Sequence, residues 1–341
     1  MKIQNVTELE ELLSRPREAD RSAMADMKGD LLLLGVGGKM GPSLAALARR
    51  ASDRAAVKRR VIAVARFSNS DLPKELSAQG IETIACDLLE PGALDRLPDA
   101  PNVIFMAARK FGSSGAEHLT WAMNTFLPAL VAERYRNSRI VAFSTGNVYP
   151  LRSAAEGGAT ESTPVGPIGE YAQSALGRER MFEYGSSRYG TRVTILRLNY
   201  AVELRYGVLV DIGRAVYERR PVLLSMPHVN VIWQADANSW CLRSFAHCQS
   251  PPFVLNITGP ETLSVRDIAA EFGKHFGVEP MFVPEASEPT SLLNDASRAN
   301  SLFGKPGVTP SEMIAWIADW IRQGGKMLNK PTHFQTRDGK F

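Results

Sequence analysis

The chain has 341 residues, 44% of them hydrophobic and 22% charged, enough apolar material for a large core in one composite unit or two closely joined domains. Its net charge of +4 is small, and the densest basic run, Arg49 to Arg60, is broken by Asp53 and alanines with no interleaved aromatic residues, which argues against nucleic acid as a partner. No apolar stretch is long enough to span a membrane and the start, Met1 to Leu13, is acidic and amphipathic rather than signal-like, so the expected location is the cytoplasm.

Thr7 is positioned to cap a short helix through Leu13, and a second helix is expected from Pro16 to Met27; this extension reads as packing. Asp30 then leads into Leu31-Leu32-Leu33-Leu34, a run suited to a strand buried on both faces. The glycine cluster Gly35-Val36-Gly37-Gly38-Lys39-Met40-Gly41 follows, and Pro42 with Ser43 to Arg50 opens a helix behind it. Gly35, Gly38 and Gly41 therefore lie at a strand-to-helix turn with G-x-x-G-x-x-G spacing. One allows the tight turn, one lets the backbone approach a pyrophosphate and one lets helix and strand pack closely, while the helix N-terminus offers N–H groups to an anion. A tight turn without ligand is the alternative.

Further apolar strands are expected at Val61 to Ala65, Ile81 to Ala85, Val103 to Ala107, Ile140 to Ser144 and Arg192 to Leu198. Helical patterns separate most of them: Pro73 to Gln79, Pro91 to Leu97, a long one from Ala116 to Arg136, and Tyr171 to Tyr189. Strands alternating with helices define a Rossmann-type, doubly wound parallel α/β sheet. Beyond Leu198 the alternation loosens: a helix at Tyr206 to Arg219, a short strand at Val229 to Gln234, a helix at Ala235 to His247 and a strand at Phe253 to Ile257 that could return to the sheet. Ser264 caps a helix to Phe276, and Pro310 to Arg322 forms an amphipathic one. The division this suggests is a helical extension at 1–29, a dinucleotide-binding domain at 30–198 with its return strand near 253–257, a smaller substrate-side domain at 199–323, and a loose tail at 324–341.

Cys86, Cys241 and Cys248 are odd in number and lack C-x-x-C spacing, so buried thiols are expected rather than disulfides or zinc ligands. The histidines are scattered, and no metal is expected. At the end of the second strand, Ala65-Arg66 holds a cation where an acid would favour a free ribose 2′-hydroxyl, so NADP is favoured, with NAD possible. Lys39 would add positive charge near the phosphates; the alternative for both cations is a solvated surface. Asp87 is placed either to accept from an adenine amino group or to cap a helix.

Taken with Cys86-Asp87-Leu88, Val103 to Ala108, Ala142-Phe143-Ser144-Thr145-Gly146-Asn147-Val148-Tyr149-Pro150, Thr160 to Pro164 leading to Glu170-Tyr171, Leu196 to Tyr200, and Asn256-Ile257-Thr258-Gly259, the glycine loop resembles the extended short-chain dehydrogenase/reductases, which include sugar-nucleotide epimerases and dehydratases. The resemblance covers most of residues 30–323. It implies a homodimer built on the two long helices and an NAD(P)-dependent enzyme, an oxidoreductase or epimerase/dehydratase acting by hydride transfer on a sugar, sugar acid or related hydroxylated molecule. In that family the residue matching Thr145 bonds the reacting oxygen and the one matching Tyr171 exchanges its proton. The implied cofactor residues are Gly35, Gly38, Lys39, Met40, Gly41, Arg66, Asp87, Leu88, Ala107, Ala108 and Lys110.

The family motif is Y-x-x-x-K, yet four residues after Tyr171 stands Ala175. With an ordinary tyrosine pKa of about 10, phenolate near neutrality is about one part in a thousand, a handicap of roughly 4 kcal/mol for any step needing it. Lys110, after the fourth strand, is the better substitute cation, while Arg178 reads first as a surface charge. Asn124 either holds a strand or water near the site or makes an interhelical contact. Substrate candidates are Asn147, Asn199, Arg205, Asn230 and Trp233, a set of amides, a guanidinium and a ring suited to a hydroxylated molecule, although Trp233 and Tyr206 equally suit filling an interface. Because the lysine is missing, a catalytically weak nucleotide-binding regulator on the same scaffold is the competing class.

Overall fold

The computed structural model describes residues 2–110, 112, 115–283 and 289–340; Met1 and Phe341, the outer ends of the expected extension and tail, lie outside the described residues. Seven strands form the central sheet: β1 (Leu31–Leu34), β2 (Val61–Ala65), β3 (Glu82–Ala85), β4 (Asn102–Phe105), β5 (Arg139–Thr145), β6 (Arg192–Leu198) and β7 (Phe253–Ile257). Their order is β7-β6-β5-β4-β1-β2-β3 and every pairing is parallel. The order reverses between β1 and β4, which opens a crevice at the carboxyl ends of those strands.

Burial explains the strand sequences. Every residue of β1, β2 and β4 is buried, as the apolar runs of β1, β2 and Val103 to Phe105 require, whereas the edge strand β3 carries Glu82 and Thr83 toward solvent. Alternate side chains feed two layers. Leu31 and Leu33 pack with Leu44 and Leu47 of α3 (Gly41–Arg54) and Trp240 of α9 (Gln234–Arg243). Leu32 and Leu34 pack with Leu127 and Val131 of α6 (Leu127–Arg134) and Phe182 of α7 (Gly169–Tyr189).

A third apolar cluster unites Leu9 and Leu13 of α1 (Val6–Leu13) with α8 (Val208–Tyr217), α10 (Val265–Phe276) and α12 (Pro310–Arg322). The N-terminal extension is thus built into the rest: Asp20 of α2 (Glu18–Asp26) is buried and accepts from Ser239. Asn5, rather than Thr7, caps α1, its side chain accepting from the Glu8 N–H at 2.9 Å.

Two expected helices differ. Pro91 to Leu97 yields only a single 3-10 turn, Leu94–Arg96, because Pro91-Gly92 starts a turn too short to propagate. The long pattern from Ala116 is split: α5 (Glu117–Trp121), a π-helical turn at Ala122–Phe126, and α6. The turn contains Asn124, whose fully buried side chain makes the four hydrogen bonds described below. The expected loose tail is instead tied down. Thr332 donates its N–H and hydroxyl to Asp211, Phe334 is buried in the third cluster, and Arg337 donates to the carbonyls of Ser225 and Thr290. The apolar side chain and side-chain bonds of a segment without periodicity gave no signal in the sequence.

Candidate active site

The glycine loop caps the crevice from β1. Gly35 has φ +94°, and a Cβ there would lie 2.5 Å from the Ala107 backbone after β4. A Cβ on Gly41 would lie 2.1 Å from the Val36 carbonyl oxygen, so this glycine closes the turn onto α3. Gly38 differs: the nearest atom to an added Cβ is 3.8 Å away, leaving its backbone face open to a close approach. Met40 occupies the cap position of α3 with no side-chain capping bond, and its carbonyl accepts from Ser43. The turn and the uncapped helix start fit a dinucleotide pyrophosphate.

Around this loop, Ala107 is buried against Gly35, Ala108 is exposed and Leu88 is buried in the sheet's second layer. Arg66 is largely exposed and lies 3.9 Å from Asp87, a loose pair that leaves the guanidinium accessible. The Lys39 ammonium sits 3.0 Å from the centre of the Tyr206 ring. Burial, then the charges of Lys110 and Lys330, bring its pKa down to about 7. Burial brings Lys110 down to about 8.

At the carboxyl end of β5, Thr145 and Tyr171 are brought together by the first turns of α7, and their hydroxyls are hydrogen-bonded. Thr145 Oγ1 accepts from the Asn147 N–H at 3.2 Å and from the Asn147 amide at 3.0 Å. Its oxygen is therefore occupied as an acceptor, which leaves its own hydrogen to donate, to the tyrosine oxygen here or to an oxygen arriving between the two hydroxyls. Burial pushes the Tyr171 pKa up, opposed by the Arg178 charge and the Thr145 bond.

Arg178 is a correction to the sequence reading. It is 3% exposed, not a surface cation. Its guanidinium donates to the Phe143 carbonyl at 2.8 Å and to Asn124 Oδ1 at 2.9 Å, because α7 presses that face against the end of β5 and the π-helical turn. Asn124 also accepts from the Arg109 N–H and donates to the Arg109 carbonyl and to Ser174, so it both holds the segment after β4 and bridges two helices. Ala175 is fully buried in a small apolar cluster with Val148, Tyr149 and Ala159. The Lys110 ammonium lies 5.5 Å from the centre of the Tyr171 ring.

Of the five substrate candidates, Asn147 lines the pocket beside Thr145. The other four lie in packing. Asn199 donates to the Leu292 carbonyl, and Asn230 bonds the backbone at Glu261 and Asn294. Trp233 is 1% exposed and stacks edge-on against Trp316. Arg205 is paired with Glu203 and with Glu10, fastening α1 to this lobe. These short polar groups are consumed by loops whose backbones lack helix or sheet partners.

Two features escaped the sequence reading. Beneath the site, Arg197 and Glu179 form a buried pair at 2.6 Å, with Ser144 donating to Glu179 and Arg197 donating to the Tyr149 hydroxyl at 2.7 Å. A charge inside the apolar run Leu196 to Leu198 was the available signal. The other is the tail: His333, Thr336 and Arg337 line the same pocket as Lys110, Asn147 and Tyr149.

The profile of the NAD dependent epimerase/dehydratase family matches residues 31–202. The chain belongs to this family of nicotinamide-dependent enzymes. Its fold is shared with solved epimerase structures. The UDP-glucuronic acid 4-epimerase from Bacillus cereus in complex with NAD is 19% identical with a TM-score of 0.71, the match covering 86% of this chain and 97% of that one. The UDP-glucose 4-epimerase from Thermotoga maritima is 16% identical with a TM-score of 0.71, over 86% of this chain and 99% of that one. The UDP-glucose 4-epimerase from Thermus thermophilus, in complex with NAD, is 18% identical with a TM-score of 0.69, over 86% and 99%. No curated protein sequence matches the chain.

Proposed function

We propose that this chain catalyses hydride-transfer chemistry on a hydroxylated, sugar-like small molecule, with Tyr171 as proton donor or acceptor and Thr145 orienting the reacting oxygen. The hydrogen-bonded Tyr171–Thr145 pair at the end of β5, facing the loop after β4, carries the reading. When bound, a nicotinamide dinucleotide supplies the hydride donor or acceptor. Gly35, Gly38, Met40 and Gly41 would cradle its diphosphate, and Arg66 with Asp87 would meet the adenosine end. The exposed Arg66 in place of an acid supports NADP over NAD.

The chain's own groups then handle the proton. Thr145 donates to the Tyr171 oxygen and so favours the tyrosine's loss of its proton toward substrate. Arg178 acts as a positioning residue: its buried positive charge stabilises the phenolate that forms. With the phenol held neutral by burial, the proton-donating direction, carbonyl reduction, is the easier one. A regulator without chemistry would not need this pair.

The test is a substrate screen following nicotinamide absorbance, with product stereochemistry analysed to detect redox-neutral turnover. Tyr171→Phe is expected to lower turnover by about 10²–10⁴-fold with dinucleotide affinity nearly unchanged. Full activity in that variant overturns the assignment.

The reading includes a homodimer through α5 to α7. Phe126 and Tyr184 are 57% and 59% exposed on that face, with Leu119 and Trp121 also exposed. Sedimentation showing only monomer at micromolar concentration removes the dimer.

A further inference from the structure

The catalytic pair is shut in. Tyr171 is 8% exposed and Thr145 6%, and the cavity beside them is lined by Asn147, Leu151 and Met226 together with Thr336, Arg337 and Gly339 of the tail. The space inside is about 20 Å³, room for a single water molecule, whereas a site for a small organic substrate takes roughly 300–1,000 Å³. A hydroxylated substrate therefore reaches the pair only after part of this lining moves. The tail is fixed unevenly. At its inner end Thr332 makes two hydrogen bonds to Asp211, of 2.8 and 2.6 Å, and Phe334 is buried in the third apolar cluster, its carbonyl accepting from the Tyr200 hydroxyl. Its outer end is half-buried at Thr336, Arg337 and Gly339 and exposed at Asp338 and Lys340.

We propose that residues 335–340 form a strap, latched by Arg337, that swings off the cavity to admit substrate and closes again over the Tyr171–Thr145 pair. The need for entry rests on the hydride-transfer reading above. The latch is the Arg337 guanidinium, which donates to the Ser225 carbonyl at 2.9 Å and to the Thr290 carbonyl and hydroxyl at 2.6 Å each. The Ser225 hydroxyl adds a bond to the Gln335 carbonyl at 3.2 Å. These acceptors are neutral and the arginine is half-exposed, so water can replace the bonds when the latch opens. Beyond the latch, Gly339 rests backbone to backbone on Ile168 and Gly169, where the helix carrying Tyr171 begins: a Cβ on Gly169 would be 2.6 Å from the Gly339 carbonyl oxygen. The hinge lies where the fixed and latched ends meet, at a turn from His333 to Thr336 that is closed by the Thr336 N–H on the His333 carbonyl at 3.1 Å. Reclosure keeps water from the reacting atoms.

The experiment places a thiol in the cavity with Leu151→Cys, a position outside the latch, and follows its labelling by N-ethylmaleimide, a ring close to a monosaccharide in size. Peptide mass mapping separates this thiol from Cys86, Cys241 and Cys248, and Cys241, fully buried, reports global unfolding. In Leu151→Cys alone, labelling is expected to run at least about 100-fold slower than in the urea-unfolded chain. Adding Arg337→Ala should speed it about tenfold while Cys241 stays unlabelled. Thr290→Val removes only the hydroxyl acceptor and should speed it about threefold; this milder variant decides the matter if Arg337→Ala exposes Cys241. Labelling that neither variant raises ahead of Cys241, or that already matches the unfolded chain in Leu151→Cys alone, overturns the strap. No dinucleotide or substrate enters this measurement, so the hydride-transfer reading fails separately, through absent dinucleotide binding or full activity in Tyr171→Phe.

Discussion

The two sides of the crevice are built in opposite ways. The glycine-loop side comes from one contiguous stretch, β1 through α3, whose geometry is dictated by backbone sterics: Gly35 and Gly41 have no room for a side chain. The tail side is gathered from Asn147, Tyr200, Leu292 and residues 333–339, brought together by side-chain anchors rather than by regular structure. A local device tolerates little change in residue type but needs little from elsewhere. An assembled wall depends on each distant anchor.

The sharpest break of this comparison is a pair of glycine variants. Gly41→Ala would put its Cβ 2.1 Å from the Val36 carbonyl oxygen and force the turn to shift, so it is expected to cost about 1–3 kcal/mol in unfolding free energy and to remove measurable dinucleotide binding. Gly38→Ala has open space, so its thermal stability should match the parent while dinucleotide affinity falls. Equal dinucleotide affinity in Gly38→Ala would remove the diphosphate from this turn.

Arg178→Met probes the floor shared by both sides. Deleting a buried cation bonded to Phe143 and Asn124 is expected to cost about 1–3 kcal/mol in denaturant unfolding. It should also move the rise of alcohol oxidation with pH to higher pH, since Tyr171 loses the charge that opposes its upward shift. Arg178→Lys should restore part of that shift; an unchanged profile in the Met variant would confine Arg178 to packing.

Arg66→Ala acts only on the glycine-loop side. It should weaken NADP by about tenfold and leave NAD unaffected, because an exposed charge-assisted contact is screened by solvent. Equal parent affinities for the two dinucleotides, measured by calorimetry, would end the NADP assignment.

The smallest effect is a fractional proton. Lys39, at about 7, faces Lys110, Lys330, Asp211 and Glu203, and Lys110 stands at about 8. Both are depressed, so each ammonium is partly deprotonated in this window, and an arriving anion raises each pKa. Anion binding should therefore take up protons between pH 7 and 8 and weaken as pH rises through it. Calorimetric titration in buffers of different ionisation enthalpy measures the uptake, and a buffer-independent heat would place both lysines outside the anion's reach.

Most of the sheet was legible because a strand buried on both faces must be largely apolar: β1, β2, β6 and β7 have their expected limits, and β3, β4 and β5 differ only at their ends. The glycine turn was legible for a local reason, while Thr145 and Tyr171 were picked out by the family resemblance and lie at the end of β5 and in the first turn of α7. Asn199, Asn230 and Arg205 were not. An exposed amide and one that satisfies a buried carbonyl look alike in sequence, and only the loop path decides between them.

The sequence by itself determined the alternation of a doubly wound sheet and the turn after β1, because periodicity and glycine sterics act over a few residues, and its resemblance to a family pointed to the threonine at the end of β5 and the tyrosine at the start of α7. The tertiary structure decided what surrounds that pair. It buried Arg178 behind Tyr171, where α7 meets the π-helical turn, and packed Ala175 among apolar neighbours. It also carried His333 across the crevice, because Thr332, Phe334 and Arg337 find their partners only after distant segments have folded into place. Contacts of that range leave no period in a sequence.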